Sequence, residues 1–411
     1  MGSRFVNFRT VVVGALLLIL GGTVGYRYGT GVFPFTSGAP ASSQFTLVDT
    51  LQPNDKKDVK FQQFWEVWRM LEQQYVDPSQ IDVNAMVDGA IRGMTAGVGD
   101  PYTLYLSSEQ NKQTAEQLRG SFFGVGIQLG YVESTLAAIA PLDGSPAAKA
   151  GVQPGDLILH VKDEAANLDE DTQDWSLEEA VSHIRGPRNS IVTLTLYRKD
   201  APAPFTVDLK RDEVIIPSVT IKYVEYQGKK IANVRLSTFN ERTDAEWNQA
   251  VESILAEKPM GIILDMRNNP GGLFDTAIDV VSDFIPTGIV VTQQGKTTKQ
   301  DFKSTGTGRL AEYEVEVLVN KGSASASEIV AGALRDRNGA KLIGEKTFGK
   351  GTVQDRQILS NGGALHVTIA KWLLPSGQWI HHEGIPVDIE VKDDPATADI
   401  DEALQKAIET L

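Results

Sequence analysis

Two apolar runs in the second half of the chain constrain its fold most: Gly261-Ile262-Ile263-Leu264-Asp265 and Val315-Glu316-Val317-Leu318-Val319. Helical patterns flank them, Ala245 to Leu255 before the first and one through Ala277, Val280 and Val281 between the two. Strands of continuous apolar character separated by helices predict a mostly parallel sheet covered on both faces. In such sheets, sites lie at the carboxyl ends of the strands. Two stretches fall there, Arg267-Asn268-Asn269-Pro270-Gly271-Gly272-Leu273 and Gly322-Ser323-Ala324-Ser325-Ala326-Ser327-Glu328. This α/β region is bounded at 206–393. A short acidic tail with a helical pattern (Ala403, Leu404, Ala407, Ile408) occupies 394–411.

The second stretch carries candidate chemistry. Ser323, Ser325 and Ser327 alternate with alanines just before Ile329, Val330, Ala333 and Leu334, whose spacing is helical, so the serines sit at or near a helix N-terminus. Lys350, flanked by Gly349 and Gly351, follows the short β-like run Lys341-Leu342-Ile343-Gly344. Glycines allow a tight backbone site in which burial lowers the lysine pKa. A serine and a nearly neutral lysine suffice for acyl transfer. The spacing alone does not choose among the three serines. Ser325-Ala326-Ser327-Glu328 also fits a capping box, which would make Ser325 a helix cap and nothing more.

The N-terminus has a different character. Arg4 and Arg9 precede the apolar run Val11 to Leu20, which continues more weakly to Tyr26. Counted from Thr10, this is about the shortest span that crosses a bilayer, and the arginines predict a cytoplasmic N-terminus with the rest exported. Residues 1–30 are therefore read as a membrane anchor; a cleaved signal peptide is the alternative, with Ala39-Pro40-Ala41 as the nearest small-residue site. Residues 31–58 read as a flexible linker. With no cysteine in the chain, disulfides, thiolate nucleophiles and thiolate metal ligands are all excluded. A net charge of −14 argues against nonspecific nucleic-acid binding.

Between linker and sheet lie two more regions. Residues 59–120 form a helical preface: Phe61, Phe64, Trp65, Trp68 and Leu71 share one helix face, a second helical pattern runs from Met86 to Met94, a turn follows at Gly99-Asp100-Pro101-Tyr102, and a polar helix spans Glu109 to Leu118. Packing or dimerisation is its default role, which leaves a homo-oligomer open. Residues 121–205 change to short β-like runs, with a short helix at Ser145 to Gly151, a strand at Leu157 to Val161, a helix through Leu177 and Ile184, and a last strand at Ile191 to Tyr197. This order resembles a PDZ domain, with Gly124-Val125-Gly126-Ile127 matching its carboxylate-binding loop and Ala150 to Asp156 the turn after its first helix. Glycine-exposed N–H groups form an anion nest beside a strand edge that accepts an extended peptide.

Taken together, the chain resembles the carboxyl-terminal processing proteases, the tail-specific serine peptidases of the S41 family, from about Phe61 onward. The resemblance rests on Gly99-Asp100-Pro101-Tyr102, the PDZ loop, Arg267 to Gly272, Gly322 to Glu328, and Phe348-Gly349-Lys350-Gly351-Thr352-Val353-Gln354. It implies a ClpP/crotonase-like protease core and a serine endopeptidase acting through an acyl-enzyme. It further implies Ser325 as nucleophile, Lys350 as general base in preference to Lys346, Gln354 as the residue that holds the lysine ammonium, and backbone N–H groups of Gly271 and Ala326 as oxyanion donors. It implies no metal or organic cofactor, and as partners polypeptides with free apolar C-termini, captured outside the cytoplasm. One departure is Arg185-Gly186-Pro187-Arg188-Asn189-Ser190, where a glycine-threonine turn is commoner.

Two other readings compete. A Ser-His-Asp enzyme needs one of His160, His183, His366, His381 or His382 beside a serine, and none lies in a recognisable motif. His381-His382-Glu383 lacks the spacing of a zinc-binding helix. The other is a membrane-tethered PDZ scaffold with an inactive protease-like domain, against which the intact Ser325, Lys350 and Gln354 argue.

Overall fold

The computed structural model describes residues 61–199, 201–392 and 400–411. The expected anchor and linker lie outside these residues. Among the described residues no helix is long and apolar enough to cross a membrane. The chain divides into two units, 1–81 and 82–411. In the first, the aromatic pattern forms α1 (Gln62–Gln74), none of whose residues is buried.

The second unit begins with α2 (Val83–Ala96), started by the Asp82 carboxylate, which accepts the N–H groups of Asn84 and Ala85. After the turn at Gly99 to Tyr102 come β1 (Leu104–Leu106) and α3 (Ser108–Arg119), the latter entered through a Ser107–Gln110 capping box and left through Gly120 in the left-handed region. The preface is thus not purely helical. β1 pairs antiparallel with residues 364–366, far along the chain, and three residues are too few to show a strand period of their own.

The region expected to be PDZ-like is antiparallel throughout. Its elements are β2 (Ser121–Gly124), β3 (Ile127–Val132), β4 (Thr135–Pro141), α4 (Pro146–Lys149), β5 (Asp156–Asp163), β6 (Leu168–Asp171), α5 (Leu177–Ile184), β7 (Ile191–Tyr197), β8 (Phe205–Lys210) and β9 (Asp212–Ile215). Five of these form a sheet in the order β3-β4-β5-β7-β8, and β6 pairs with β5. The strand expected to be last, β7, is followed by β8 along its length, and β9 returns to pair with β2. The Arg185 to Ser190 turn is built over Arg211, which is fully buried. That guanidinium pairs with Asp163 at 2.7 Å and donates to the carbonyls of Ile184 and His183 and to Ser190 Oγ. A Cβ at position 186 would lie 2.8 Å from it. A buried cation costs little only when its donors are so occupied.

The remaining elements are β10 (Val219–Tyr226), β11 (Lys229–Leu236), α6 (Thr243–Glu257), β12 (Gly261–Asp265), α7 (Phe274–Phe284), β13 (Ile289–Gly295), β14 (Lys299–Lys303), β15 (Glu314–Val319), α8 (Ala326–Asn338), β16 (Leu342–Gly344), β17 (Thr352–Ile358), β18 (Ala364–Leu373), β19 (Ile389–Glu390) and α9 (Glu402–Thr410). A six-stranded sheet runs β10-β11-β12-β15-β16-β19, antiparallel only between β10 and β11. Its faces follow the alternation of side chains. Val234, Ile262, Leu264, Val317 and Leu342 pack with α6, α7 and α8, while Ile231, Ile263, Leu318 and Ile343 pack with Ala403 and Ala407 of α9. The expected mostly parallel, doubly covered sheet therefore describes this sheet and no other. A second sheet, β1-β18-β13-β14 with β17 on β18, is antiparallel, and over the described chain antiparallel pairings predominate.

Candidate active site

The two stretches expected to meet do so because β12 and β15 are parallel neighbours, which delivers both following loops to one edge of the sheet. There the three serines separate by role. Ser323 Oγ donates to the Met266 carbonyl at 2.8 Å and accepts the Asn320 N–H at 2.9 Å. Ser327 Oγ donates to the carbonyls of Asn269 and Ala324. Both are fully buried and hold the loops together. Ser325 is half-buried and sits at φ 57°, ψ −116°. A capping residue adopts extended backbone, so Ser325 is no ordinary cap. Such dihedrals cost a non-glycine residue on the order of 1–3 kcal/mol and cluster at active sites.

Gly271 touches this turn. At φ 98°, a Cβ there would lie 2.8 Å from the Ala324 carbonyl, 2.9 Å from the Ala326 nitrogen and 2.9 Å from Ser325 Cβ. Only glycine permits this approach. The Gly271 N–H donates to Asn269 Oδ1 at 2.9 Å, whereas the Ala326 N–H has no partner among the described residues. Asn269 is fully buried, its NH2 donates to the Leu236 carbonyl, and its own carbonyl accepts from Ala324 N–H and Ser327 Oγ. One residue before the loop's two asparagines, Arg267 makes paired bonds to Asp265 and to Asp401, the residue that caps α9.

Lys350 reaches the same place through Glu328. This fully buried carboxylate accepts Ser325 N–H (2.8 Å) and Lys350 N–H (2.9 Å) on Oε2, and Gly349 N–H (2.7 Å) and Thr347 Oγ1 (2.6 Å) on Oε1. One oxygen atom thus joins the backbones of serine and lysine. Burial pushes the Glu328 pKa up, against those four donors. From the sequence, Glu328 was legible only as the last residue of a capping box; its bonds to the lysine loop carry no local signal.

The glycines beside Lys350 are required by a second segment. His382 N–H donates to the Gly349 carbonyl, Gly351 N–H donates to His381 Nδ1 at 3.3 Å, and the Trp379 indole donates to the Gly351 carbonyl at 2.8 Å. A Cβ on Gly349, at φ 94°, would lie 2.7 Å from the Gly384 nitrogen. His381 and His382 thus frame the lysine loop. The Lys350 ammonium makes no hydrogen bond or ion pair among the described residues; it lies 5.3 Å from the centre of the Tyr102 ring. Burial lowers its pKa, opposed by Glu328 and Asp100. Gln354 does not hold the ammonium here. Its NH2 donates to Thr352 Oγ1 (3.0 Å) and Thr368 Oγ1 (3.1 Å). A mostly apolar cavity of about 680 Å³ opens beside this network, bordered by Val98, Pro101, Val367, Trp379 and His381.

The Gly124 to Ile127 loop joins β2 to β3. Among the described residues neither Val125 nor Gly126 commits its N–H, and β3 is an edge strand. A small groove lies between β3 and α5, lined by Phe122, Ile127, Leu129, Val181, Ile184 and Arg185.

Comparison with known proteins matches three stretches of the chain. Residues 230–391 match the family described as Peptidase family S41, residues 140–198 the PDZ domain, and residues 19–110 the Activating protease CtpB N-terminal domain. The chain is similar to Carboxy-terminal processing protease CtpB of Bacillus subtilis (strain 168), at 31% identity over 87% of this chain and 72% of that protein. It is also similar to Carboxy-terminal processing protease CtpA of the same organism, at 34% identity over 82% and 70%. An S41 protease structure from Bacteroides fragilis NCTC 9343 superposes with a TM-score of 0.52 at 15% identity, covering 84% of this chain and 92% of that one, a likeness of fold.

Proposed function

The chain belongs to the carboxy-terminal processing proteases, serine peptidases of family S41 that carry a PDZ domain, and on that footing we propose that Ser325 and Lys350 are its catalytic pair. The observation that carries the pair is the Glu328 carboxylate, whose single Oε2 accepts the backbone N–H of both residues. Lysine at its usual pKa of about 10.4 is a poor base at neutral pH, and burial of Lys350 moves its pKa down, in the direction the role needs. The neutral amine takes the Ser325 hydroxyl proton as Oγ bonds to the peptide carbonyl carbon. The resulting oxyanion is met by the Ala326 N–H, which has no partner among the described residues. Gly271 joins as the second donor once its N–H leaves Asn269 Oδ1. Each such donor is worth about 3 kcal/mol. The lysine ammonium then gives its proton to the leaving amine, and water hydrolyses the acyl-enzyme. In this reading Gln354, its NH2 taken by two threonine hydroxyls, offers Oε1 to the ammonium.

Substrates are polypeptides engaged by their C-termini. The uncommitted N–H groups of Val125 and Gly126 suit a terminal carboxylate, and the β3 edge suits an extended peptide. An exported location, with the first thirty residues as anchor, belongs to the same proposal.

Replacing Ser325 or Lys350 with alanine abolishes cleavage of an unstructured protein while thermal unfolding stays nearly unchanged; activity retained in either variant would sink the pair. A peptide with a free C-terminus binds Ser325→Ala at least about tenfold tighter than its amidated form by calorimetry, and equal affinities would remove carboxylate capture.

A further inference from the structure

The Gly99 to Tyr102 turn lies more than two hundred residues before the lysine in sequence, yet it meets the lysine in space. We propose that Tyr102 and Asp100 are positioning residues for Lys350: the ring seats the ammonium, and the carboxylate sets the orientation of Gln354 through Thr103 and through Thr368 of β18. This rests on Lys350 being the general base.

The geometry runs in two short chains. The Lys350 ammonium lies 5.3 Å from the Tyr102 ring centre, and His381 packs its own ring 5.7 Å from that of Tyr102. His381 in turn accepts the Gly351 N–H, so ring and loop form one unit. Behind them, Asp100 accepts Tyr102 N–H (3.1 Å) and Thr103 Oγ1 (2.7 Å), and Thr103 Oγ1 accepts Thr368 N–H (3.1 Å). Thr368 Oγ1 accepts from the Gln354 NH2. The amide is therefore held with its nitrogen toward the threonines. Although burial pushes Asp100 up, the hydroxyls of Thr368 and Thr103 and the Tyr102 N–H hold it below the ordinary range, so it is charged.

The chemical consequence concerns the lysine's proton. Burial favours the neutral amine, while an electron-rich ring face and a carboxylate both favour the ammonium. The turn is thus a counterweight that keeps the base protonatable, as a group that must give its proton back requires. The other groups facing Lys350 are Glu328 on α8, which favours the ammonium, and His366 on β18, whose own pKa burial lowers and which the lysine lowers further. His381 and His382 follow β18 beside the lysine loop, and burial lowers the His381 pKa, with His382 adding to it and Asp100 opposing.

The test is the pH profile of kcat/KM on an unstructured protein substrate, whose acid limb reports the base in the free enzyme. Tyr102→Leu keeps the lysine covered but removes the ring face, and the acid limb moves to lower pH by about half a unit. Asp100→Asn moves it in the same direction and lowers kcat through Gln354, while Tyr102→Phe leaves the limb in place. A structural role alone lowers activity without moving the limb. A limb that stays at its wild-type position, or moves to higher pH, in both Tyr102→Leu and Asp100→Asn overturns the proposal. If Tyr102→Leu does not fold, Asp100→Asn decides alone. Lys350→Met separates the two levels: if it still cleaves, the general-base reading is wrong, and if it is dead while the limbs stay put, the base stands and the positioning role falls.

Discussion

Around Ser325 the strain is in the backbone and the neighbouring polar groups are paired, whereas around Lys350 the backbone is pinned at several points and the ammonium, with a ring and two carboxylates near it, makes no hydrogen bond among the described residues. The serine half is set by atoms that cannot move without breaking buried bonds. The lysine half ends in a flexible chain whose place is decided by weak, adjustable contacts. A nucleophile must be aimed, and aim comes from rigidity. A base must accept a proton and release it, which calls for an environment balanced between two charge states.

The contrast can be broken from either side, and the largest effect belongs to the rigid half. Gly271→Ala places a methyl within 3 Å of three atoms of the serine turn, and kcat falls by about 10²–10³-fold, the usual effect of losing an oxyanion donor. Single-turnover kinetics checks it; a fall below tenfold means that the turn yields and is not rigid. Next comes Glu328→Gln, which offers an NH2 where two backbone or hydroxyl donors now point at a carboxylate oxygen. The expected loss is about 2–4 kcal/mol of stability in denaturant unfolding together with a reduced kcat. Loss of stability with full activity would show that Glu328 holds the fold without aligning the pair. The smallest effect is on the lysine side. His381→Phe keeps the ring contacts with Trp379 and Tyr102 but removes the acceptor for Gly351 N–H, and kcat drops by less than about tenfold with thermal unfolding unchanged. A drop as large as that of Gly271→Ala would erase the distinction between the halves.

How far the sequence carried the site follows the same divide. The loops after β12 and β15 were legible because apolar runs reveal parallel strands and strand ends locate sites. The choice of Ser325 was not legible from spacing, since the three serines differ only in partners that come from Met266 and Asn269. The β17–β18 hairpin was missed because Gln354-Asp355-Arg356-Gln357 is a polar run that hides strand alternation, although Asn361-Gly362-Gly363 marks a turn. Its polarity has a reason in Gln354, which turns its amide toward the threonines of the site. Tyr102 and Asp100 were read as a motif without a task, because their task is a contact with residues from the far end of the chain.

The paired bonds from Arg267 to Asp401 span 134 residues. A ribosome makes the loop after β12 long before it makes the residue that anchors it. While the chain is still being extended, that loop lacks the bonds from Arg267 to Asp401. The order of synthesis thereby delays the anchoring of this loop until the residue that caps α9 has been made.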